Sequence, residues 1–378
     1  MDESIDPAEP DQGKRKSRIT KNIFLAILVG LAINAFMGFV VDSKSLFEAI
    51  RRVGPWDIIA PFATGLVVYA IDTFRFRYLF SHFKIRLAHR DSLYVNLIGF
   101  FFSGITPSSA GGQPFQVYQF TRMGIDSTVS TNIVFSRLMV SNLAQLSIIL
   151  AVALMGKGFS IFSTSGIGGF ILAFGLAVTL GAFALLFMVL ARPIVLGRLA
   201  LRLDRSRLGR LIGRMTHDEK WAERFSAWSL GLGDSFKHLW TNRIGVVLLD
   251  LCLHALDQAI WALGLYLPFT SLSGSDVPFL PFLFAFNLCG LVSAFVPTPG
   301  ASGSIEATYA IVLGGLAVTT GSVLPAIILW RFGAYYLHLL LGGLAYAFWP
   351  VAKDSYEKCE DGIVRHKRHR RAEDRDVA

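Results

Sequence analysis

Long runs of apolar residues without a charged side chain constrain this chain more than any other feature. Residues 23–41 and 167–190 contain no charge over 19 and 24 positions. An apolar run of about 20 residues can cross the hydrocarbon core of a bilayer as a helix, because a helix satisfies its own backbone hydrogen bonds there. Charged residues make up only 17% of the chain, against about 25% in soluble domains. The sequence therefore predicts an all-α polytopic membrane protein and excludes an ordinary cytosolic enzyme.

The apolar segments differ in length, and this difference separates full spans from shorter segments. About six full transmembrane helices are predicted, at residues 23–41, 58–80, 133–154, 167–190, 244–267 and 323–348. Two further apolar segments, 92–120 and 279–318, are interrupted by stretches rich in Pro, Gly and Ser. We predict that these two segments form re-entrant helical hairpins that enter the membrane from opposite faces.

The distribution of Lys and Arg supports this topology. Basic clusters lie at 14–21, 75–90, 192–243 and 353–371. Cytoplasmic loops carry the excess of basic residues, and all four clusters fall on one face only if both hairpins enter and leave on the same side. We therefore predict a protein of the cytoplasmic (inner) membrane with both termini in the cytoplasm.

The domain organisation follows from these assignments. Residues 1–22 form a basic cytoplasmic tail, 23–350 a transmembrane domain, and 351–378 a charged cytoplasmic tail. Within the domain, segment 192–243 has apolar residues at helical spacing with arginines between them. This pattern is typical of amphipathic helices on an anionic leaflet, and simple marking of the topology explains it equally well. Because the charges flank spans, we expect no nucleic acid partner.

The tips of the two predicted hairpins are alike. Each begins at a proline, and Gln116 and Glu306 each lie nine residues after it. Broken helices at matching positions in two halves have the form of an inverted repeat and mark the binding sites of transporters. Irregular backbone at membrane depth lines a polar cavity, and helix N-termini there favour phosphate or carboxylate, although kinked core helices would also fit. The substrate-binding candidates at the tips are Pro107, Gly111, Gly112, Gln113, Pro297, Pro299, Gly300 and Gly303.

Charged residues within the spans form a second group of candidates. An arginine at the bilayer centre costs about 2.5–3.5 kcal/mol and so faces a partner or water. We favour a polar path containing Arg137, Glu306 and Arg331. For Glu306 a local explanation is also open, because an acidic residue in the first turn of a helix is stabilised by the helix dipole. Near the cytoplasmic end of the second span, Asp72 and Arg75 are expected to snorkel to the interface.

The spacing i, i+4, i+7 places three further residues on one face of the sixth predicted span: Asp250, His254 and Asp257. A structural ion-pair role and a role in substrate or proton transfer are equally open for them. Three scattered cysteines and the absence of a metal or nucleotide motif give no reason to expect a cofactor.

Two motifs bear a resemblance to a known family. The stretch 106–114 (TPSSAGGQP), followed by Arg122, Gly124 and Arg137, resembles the first signature of the flippase-like membrane family typified by the transmembrane region of lysylphosphatidylglycerol synthase. The stretch 296–306 (VPTPGASGSIE), followed by Arg331, resembles the second. The resemblance covers roughly residues 20–350.

This resemblance implies lipid translocation, here expected without the soluble synthase domain of two-domain members. Members of the family commonly have an acidic residue where this chain has Gln113, and a double glycine where it has Gly300-Ala301. These two departures bear on which headgroup is recognised. The leading hypothesis is thus a flippase for a phospholipid or a related phosphate-headgroup lipid. The alternatives are a membrane enzyme of glycolipid or polyprenyl-phosphate metabolism and an accessory subunit for a soluble lipid-modifying enzyme. Small-residue helix faces also leave a homodimer open.

Overall fold

A computed structural model describes residues 51, 53–107, 109–155, 166–216, 218, 220–293, 298, 300–316, 323–349, 353–359 and 361–367. The predicted first span at 23–41, and the candidates Pro297 and Pro299, lie outside the described residues. The helices are α1 Pro55–Ser81, α2 His89–Ile105, α3 Gly112–Arg122, α4 Ser127–Leu154, α5 Gly166–Ala191, α6 Pro193–Asp204, α7 Arg207–Thr216, α8 Trp221–Trp240, α9 Ile244–Ser273, α10 Phe279–Ser293, α11 Ser304–Gly314, α12 Val323–Arg331 and α13 Leu337–Phe348. The strands are β1 Ile85–Arg86, β2 Tyr356–Lys358 and β3 Val364–His366.

Within the described part of the chain, four helical segments are long and apolar enough to cross a membrane. They are α1, α4, α9 and the continuous segment Val323–Phe348. A fifth is present if Leu176–Met188 and Pro193–Asp204, which meet at 81°, count as one broken span. The helical membrane fold is confirmed, while the total of six spans stays a prediction because it includes residues 23–41.

The long helices begin and end where the local sequence favours it. At the start of α1, the Gly54 backbone N–H donates to Asp57 Oδ2 at 2.7 Å, and a proline occupies the first turn, where its missing N–H costs nothing. Asp126 caps α4 by accepting from the backbone N–H groups of Thr128 (2.8 Å) and Val129 (3.1 Å). Helix α9 ends at Gly274, whose φ of +63° is a left-handed cap.

Helices α2 and α3 fold back on each other as an antiparallel hairpin. Next to the turn, the Gly111 N–H donates to Thr106 Oγ1 at 2.9 Å. One residue further along, a Cβ on Gly112 would lie 2.7 Å from the carbonyl oxygen of Gly99, so the close packing of the two helices requires glycine. Helix α3 has 11 residues and spans only about 16 Å, too short to cross a bilayer.

Tyr356 shows that this hairpin is re-entrant. The Ala88 N–H, just before α2, donates to the Tyr356 hydroxyl at 2.9 Å. The Tyr356 N–H donates to the carbonyl oxygen of Met123, just after α3, also at 2.9 Å. Since one residue contacts the entry of α2 and the exit of α3, the chain enters and leaves at the same end.

Helices α10 and α11 form the second antiparallel hairpin. Ser304 Oγ donates to the Ser293 carbonyl oxygen next to the turn, and the Tyr309 hydroxyl donates to the Phe286 carbonyl oxygen at 3.1 Å further along. Between these two contacts the residue numbers decrease along α10 and increase along α11, so the two helices are antiparallel. With 15 and 11 residues, these helices are about 22 and 16 Å long.

The two hairpins have their bases at opposite ends of α1. Helix α2 follows the end of α1 through β1. Helix α10 follows the end of α9, where Ser271 Oγ donates to Asp57 Oδ2 at 3.0 Å, in the first turn of α1. Helix α1 has 27 residues and is about 40 Å long, so the bases lie on opposite faces. The predicted pair of opposed re-entrant hairpins is therefore confirmed.

The basic segment 192–243 is helical, as the sequence predicts. Helix α8 packs on α6 and on α4, and Asn132 Nδ2 donates to the Ser235 carbonyl oxygen at 2.9 Å. Leu199 and Leu211 are each about half exposed. Binding of this surface to an anionic leaflet stays a prediction.

A small sheet adds a β element that the sequence analysis did not foresee. Strand β3 pairs in parallel with β1, with Ile85 opposite Val364, and antiparallel with β2, with Tyr356 opposite His366. Residues predicted to be a plain charged tail thus hold the base of the first hairpin. The strands are two or three residues long, which is too short to show a period-2 pattern in the sequence.

Candidate functional site

The two hairpins meet at a cavity of about 400 Å³. Its walls come from α1, α4, α9, both hairpins and the last span. Of the sequence candidates, the residues that line it are Gly112, Gln113, Arg137, His254, Asp257, Gly300 and Arg331. Within the described chain, Pro107, Gly111, Asp250, Gly303 and Glu306 do not line it. The structure thus brings both tips and four spans to one polar cavity, while ligand binding stays a prediction.

The charged residues of the cavity lie near the middle of the membrane. Asp72 lies about 14 Å from the end of α1, and Arg137 and His254 each lie about 15 Å from the start of their helices. A hydrocarbon core is about 30 Å thick. The expectation that Asp72 and Arg75 snorkel to the interface is wrong. The two residues are only 7% and 1% exposed, and they pair with charged residues on α4 and α9.

Arg75 is the hub of this buried network. Its Nε and Nη2 donate to the two carboxylate oxygens of Asp250 at 2.7 and 3.1 Å. Its Nη1 donates to Asp72 Oδ1 at 2.8 Å. A bidentate arginine–carboxylate pair is strong and directional. Asp250 is therefore fully engaged by Arg75 and joins α9 to α1, which favours the structural interpretation for this residue.

Arg137 is only partly engaged. Its Nη2 donates to Asp72 Oδ1, and its guanidinium carbon lies 3.6 Å from the centre of the Phe76 ring. Its Nε has no hydrogen-bond partner among the described residues. An arginine offers five N–H donors, and a buried donor without a partner costs about 1–3 kcal/mol. This arrangement suits an anion that enters the cavity.

The neighbours of His254 define its tautomer. Its Nδ1 lies 2.6 Å from Arg75 Nη1, and arginine can only donate. Nδ1 therefore accepts, and the ring proton is on Nε2, which donates to Ser141 Oγ at 2.7 Å. The side-chain amide of Gln258, 2.9 Å from the same Nε2, then presents its oxygen to this proton, since the two ends of an amide are assigned from the hydrogen-bond network.

Ser141, His254 and Asp257 are spaced like a nucleophile triad, but this tautomer is wrong for one. In a triad, the histidine nitrogen next to the serine is unprotonated and accepts the serine proton. Here the nitrogen next to Ser141 is Nε2, which already carries a proton. The structure gives no support to the enzyme hypothesis at this point.

Three potential ligand atoms, from Asp72, His254 and Asp257, lie within 4.8 Å of one another. Asp72 Oδ1 and His254 Nδ1 already accept from Arg75, and Asp72 Oδ1 also accepts from Arg137. Two guanidinium cations beside these atoms would repel a metal ion. We therefore interpret the cluster as part of the ion-pair network.

The second tip is held by a buried pair between Glu306 and Arg331. Arg331 Nε lies 2.9 Å from Glu306 Oε1, and Arg331 Nη2 donates to Ser302 Oγ at 2.6 Å. The other Glu306 oxygen accepts from the Gly303 N–H at 2.7 Å, where a φ of +87° requires glycine. Glu306 thus caps its own helix and forms an ion pair with Arg331, whereas the carboxylate that pairs with Arg137 is shared with Arg75.

A π-helical turn, Phe332–Tyr336, follows Arg331 directly. Such turns are frequent at functional sites. Here the turn places Tyr335 so that its ring lies 4.3 Å from the Arg331 guanidinium carbon and its hydroxyl donates to the Gly104 carbonyl oxygen at 3.1 Å. The last span is thereby tied to the first hairpin, and no sequence signal indicated this.

No sequence signal pointed to several uncharged polar groups of the cavity wall, among them those of two asparagines and a tryptophan. Asn96 Nδ2, Asn287 Oδ1 and Trp330 Nε1 are buried and have no hydrogen-bond partner in the described part of the chain. All three residues line the cavity. Buried polar groups are nearly always hydrogen-bonded, so these groups indicate that the cavity accommodates water or a polar ligand.

Comparison with known proteins supports the interpretation of the motifs. Residues 23–342 match the family described as "Lysylphosphatidylglycerol synthase TM region". The chain belongs to this family. It is also similar to a "UPF0104 membrane protein" from Archaeoglobus fulgidus, with 25% identity over 330 residues that cover 85% of this chain and 95% of the relative. The resemblance inferred from the two tip motifs is confirmed, as is the membrane-spanning nature of the chain.

Proposed function

We propose that this protein is a flippase that moves a phosphate-headgroup lipid between the leaflets of the cytoplasmic membrane. The observation that carries the proposal is the partly unpaired guanidinium of Arg137, which lines a cavity between two opposed hairpins. Membership of the lysylphosphatidylglycerol synthase TM family supports a lipid-related role.

The cavity has the dimensions and chemistry of a headgroup site. Its volume of about 400 Å³ falls within the range of small-molecule sites, roughly 300–1,000 Å³. The phosphate would bind Arg137, with Asn96 Nδ2 and Trp330 Nε1 as neutral donors and Asn287 Oδ1 as an acceptor for a headgroup hydroxyl or amine. The acyl chains would stay in the bilayer, because apolar chains gain nothing by entering a polar cavity.

The orientation is part of the same proposal. Through its contacts with Ala88 and Met123, Tyr356 brings the basic clusters at 75–90 and 353–371 and the base of the first hairpin to one face. The positive-inside rule makes that face cytoplasmic.

The test is leaflet exchange of headgroup-labelled lipids in proteoliposomes that contain the purified protein. Arg137→Gln keeps an amide donor but removes the charge, and Arg224→Gln makes the same change in an exposed side chain that is 75% accessible. We expect exchange by the wild type and by Arg224→Gln, and a loss of at least tenfold in Arg137→Gln. Equal exchange by folded Arg137→Gln would refute the assignment, and no exchange by the wild type over a broad lipid panel would refute the function.

A further inference from the structure

Asp257 stands apart from the other buried carboxylates. Only 2% of the residue is exposed, and no donor among the described residues reaches its Oδ1. Its Oδ2 lies 3.7 Å from His254 Nδ1, the nitrogen that accepts from Arg75. A carboxylate oxygen that faces a nitrogen lone pair gains nothing, because two acceptors cannot share a hydrogen bond without a proton. Burying a charge without a partner is costly.

The charges around Asp257 are otherwise balanced. On α1 and α4, Arg75 and Arg137 carry two positive charges, and Asp72 and Asp250 supply two negative ones. Arg331 in the last span pairs with Glu306. The histidines of the described cavity wall are His254, whose Nδ1 accepts from Arg75, and His338, which packs against Tyr69 and Trp261. The two tyrosine hydroxyls of this wall donate to backbone carbonyl oxygens, Tyr309 to Phe286 and Tyr335 to Gly104. Asp257 is therefore the surplus carboxyl group of the described cavity wall.

We propose that Asp257 binds a proton inside the cavity and that this proton and an anionic lipid headgroup occupy the cavity together. The inference rests on the proposed function for the headgroup and on the geometry of Asp257 for the proton. It assigns the cavity a coupling ion, and the transported species becomes an anionic lipid accompanied by one proton.

The reason for coupling is the charge of the network. With Asp257 protonated, the network of Arg75, Arg137, Asp72, Asp250 and Asp257 is neutral, and a headgroup phosphate meets Arg137 without an opposing charge. When Asp257 gives its proton to cavity water, the network has a net charge of −1. The new carboxylate then repels the phosphate and competes with it for the same guanidinium groups. By linkage, the proton and the headgroup strengthen each other's binding by the same factor.

The first experiment detects the proton without any lipid substrate. Infrared difference spectra of the protein in phosphatidylcholine vesicles, recorded between acidic and alkaline pH, report the carbonyl stretch of a buried protonated carboxyl group. We expect this band in the wild type and in Asp276→Asn, which makes the same change at an exposed site, but not in Asp257→Asn. A band that survives in Asp257→Asn, or is absent from the wild type, would overturn the proton site.

The second experiment tests the coupling. The rate of exchange of labelled phosphatidylglycerol is measured in proteoliposomes at subsaturating lipid and at several pH values. Because one proton accompanies one headgroup, the wild-type rate should rise as the pH falls, by at most about tenfold per pH unit. The ratio of rates at two pH values should approach one in Asp257→Asn, whatever its absolute rate.

The outcomes separate the two proposals. Exchange by the wild type that does not respond to pH would overturn the coupling and leave the flippase proposal standing. A wild type that exchanges no lipid would refute the flippase proposal and the coupling, and the infrared band would still decide whether Asp257 holds a proton.

Discussion

Replacement of Arg75 by leucine tests whether the buried network holds the helices together. Arg75→Leu removes both hydrogen bonds to Asp250, at 2.7 and 3.1 Å, and leaves that carboxylate without a donor among the described residues. Asp72 keeps its contact with Arg137, so the loss is concentrated on one residue. Asp250 is 1% exposed and cannot turn to water.

The size of the effect follows from this burial. Breaking a buried ion pair by removal of one partner costs about 3–5 kcal/mol, because the remaining charge is buried and uncompensated. Asp250→Leu in the same chain removes that stranded charge. The double variant should therefore be more stable than Arg75→Leu, with a coupling energy of about 0.5–3 kcal/mol.

The assay is the free energy of unfolding in mixed micelles, from tryptophan fluorescence and circular dichroism as the denaturing detergent is increased. Arg224→Leu is the control, because Arg224 forms an exposed pair with Asp218 at 3.2 Å, and such pairs contribute at most about 1 kcal/mol. If Arg75→Leu were no more destabilising than Arg224→Leu, the network would not have the structural role assigned to it.

Three further predictions concern the hairpin and its base. Gly112→Ala should destabilise the protein by about 1–3 kcal/mol, because its Cβ would lie 2.7 Å from the Gly99 carbonyl oxygen, whereas Gly181→Ala, with no atom within 4 Å, should be neutral or stabilising in the same unfolding titration. Tyr356→Phe removes the hydroxyl that donates to Asp91 at 2.8 Å and accepts from Ala88. Amide hydrogen exchange at 353–367 should become faster, with the free energy of local opening lowered by about 1–3 kcal/mol. Unchanged exchange would contradict the role of this contact. Burial raises the pKa of the Tyr356 hydroxyl above its usual value of about 10. The stability that this hydroxyl contributes is therefore present below pH about 10 and is lost as the pH rises further. Protection of residues 353–367 against hydrogen exchange should fall above that pH in the wild type and show no such step in Tyr356→Phe.

The sequence predicted the architecture well where the signal is local. Apolar runs located the long helices, and the Pro/Gly/Ser stretches together with the basic clusters located both hairpins and their opposed entry. These features depend on whether each segment faces lipid or water, and the composition of the segment itself reflects this. The tip motifs identified the family for the same reason, since their glycines meet backbone requirements at the turns.

The roles of the charged residues depend on partners that are distant in sequence. Asp72 and Arg75 looked interfacial because their position along one helix says nothing of Asp250, which is 175 residues from Arg75. Arg331 and Arg137 looked comparable until the structure showed that Arg331 pairs with Glu306, whereas Arg137 shares Asp72 with Arg75. The π-helical turn and the small sheet have no periodic signature, so their contribution to the site could be found only from the structure.

The most direct test of the account is the lipid that the cavity retains. Mass spectrometry of lipid bound to the purified protein, after reconstitution with equimolar phosphatidylglycerol and diacylglycerol of the same acyl chains, compares a phosphate headgroup with none. We predict selective retention of phosphatidylglycerol by the wild type and by Arg224→Gln, and loss of that selectivity in Arg137→Gln. Equal retention of both lipids by the wild type, or unchanged selectivity in folded Arg137→Gln, would contradict a phosphate site at Arg137.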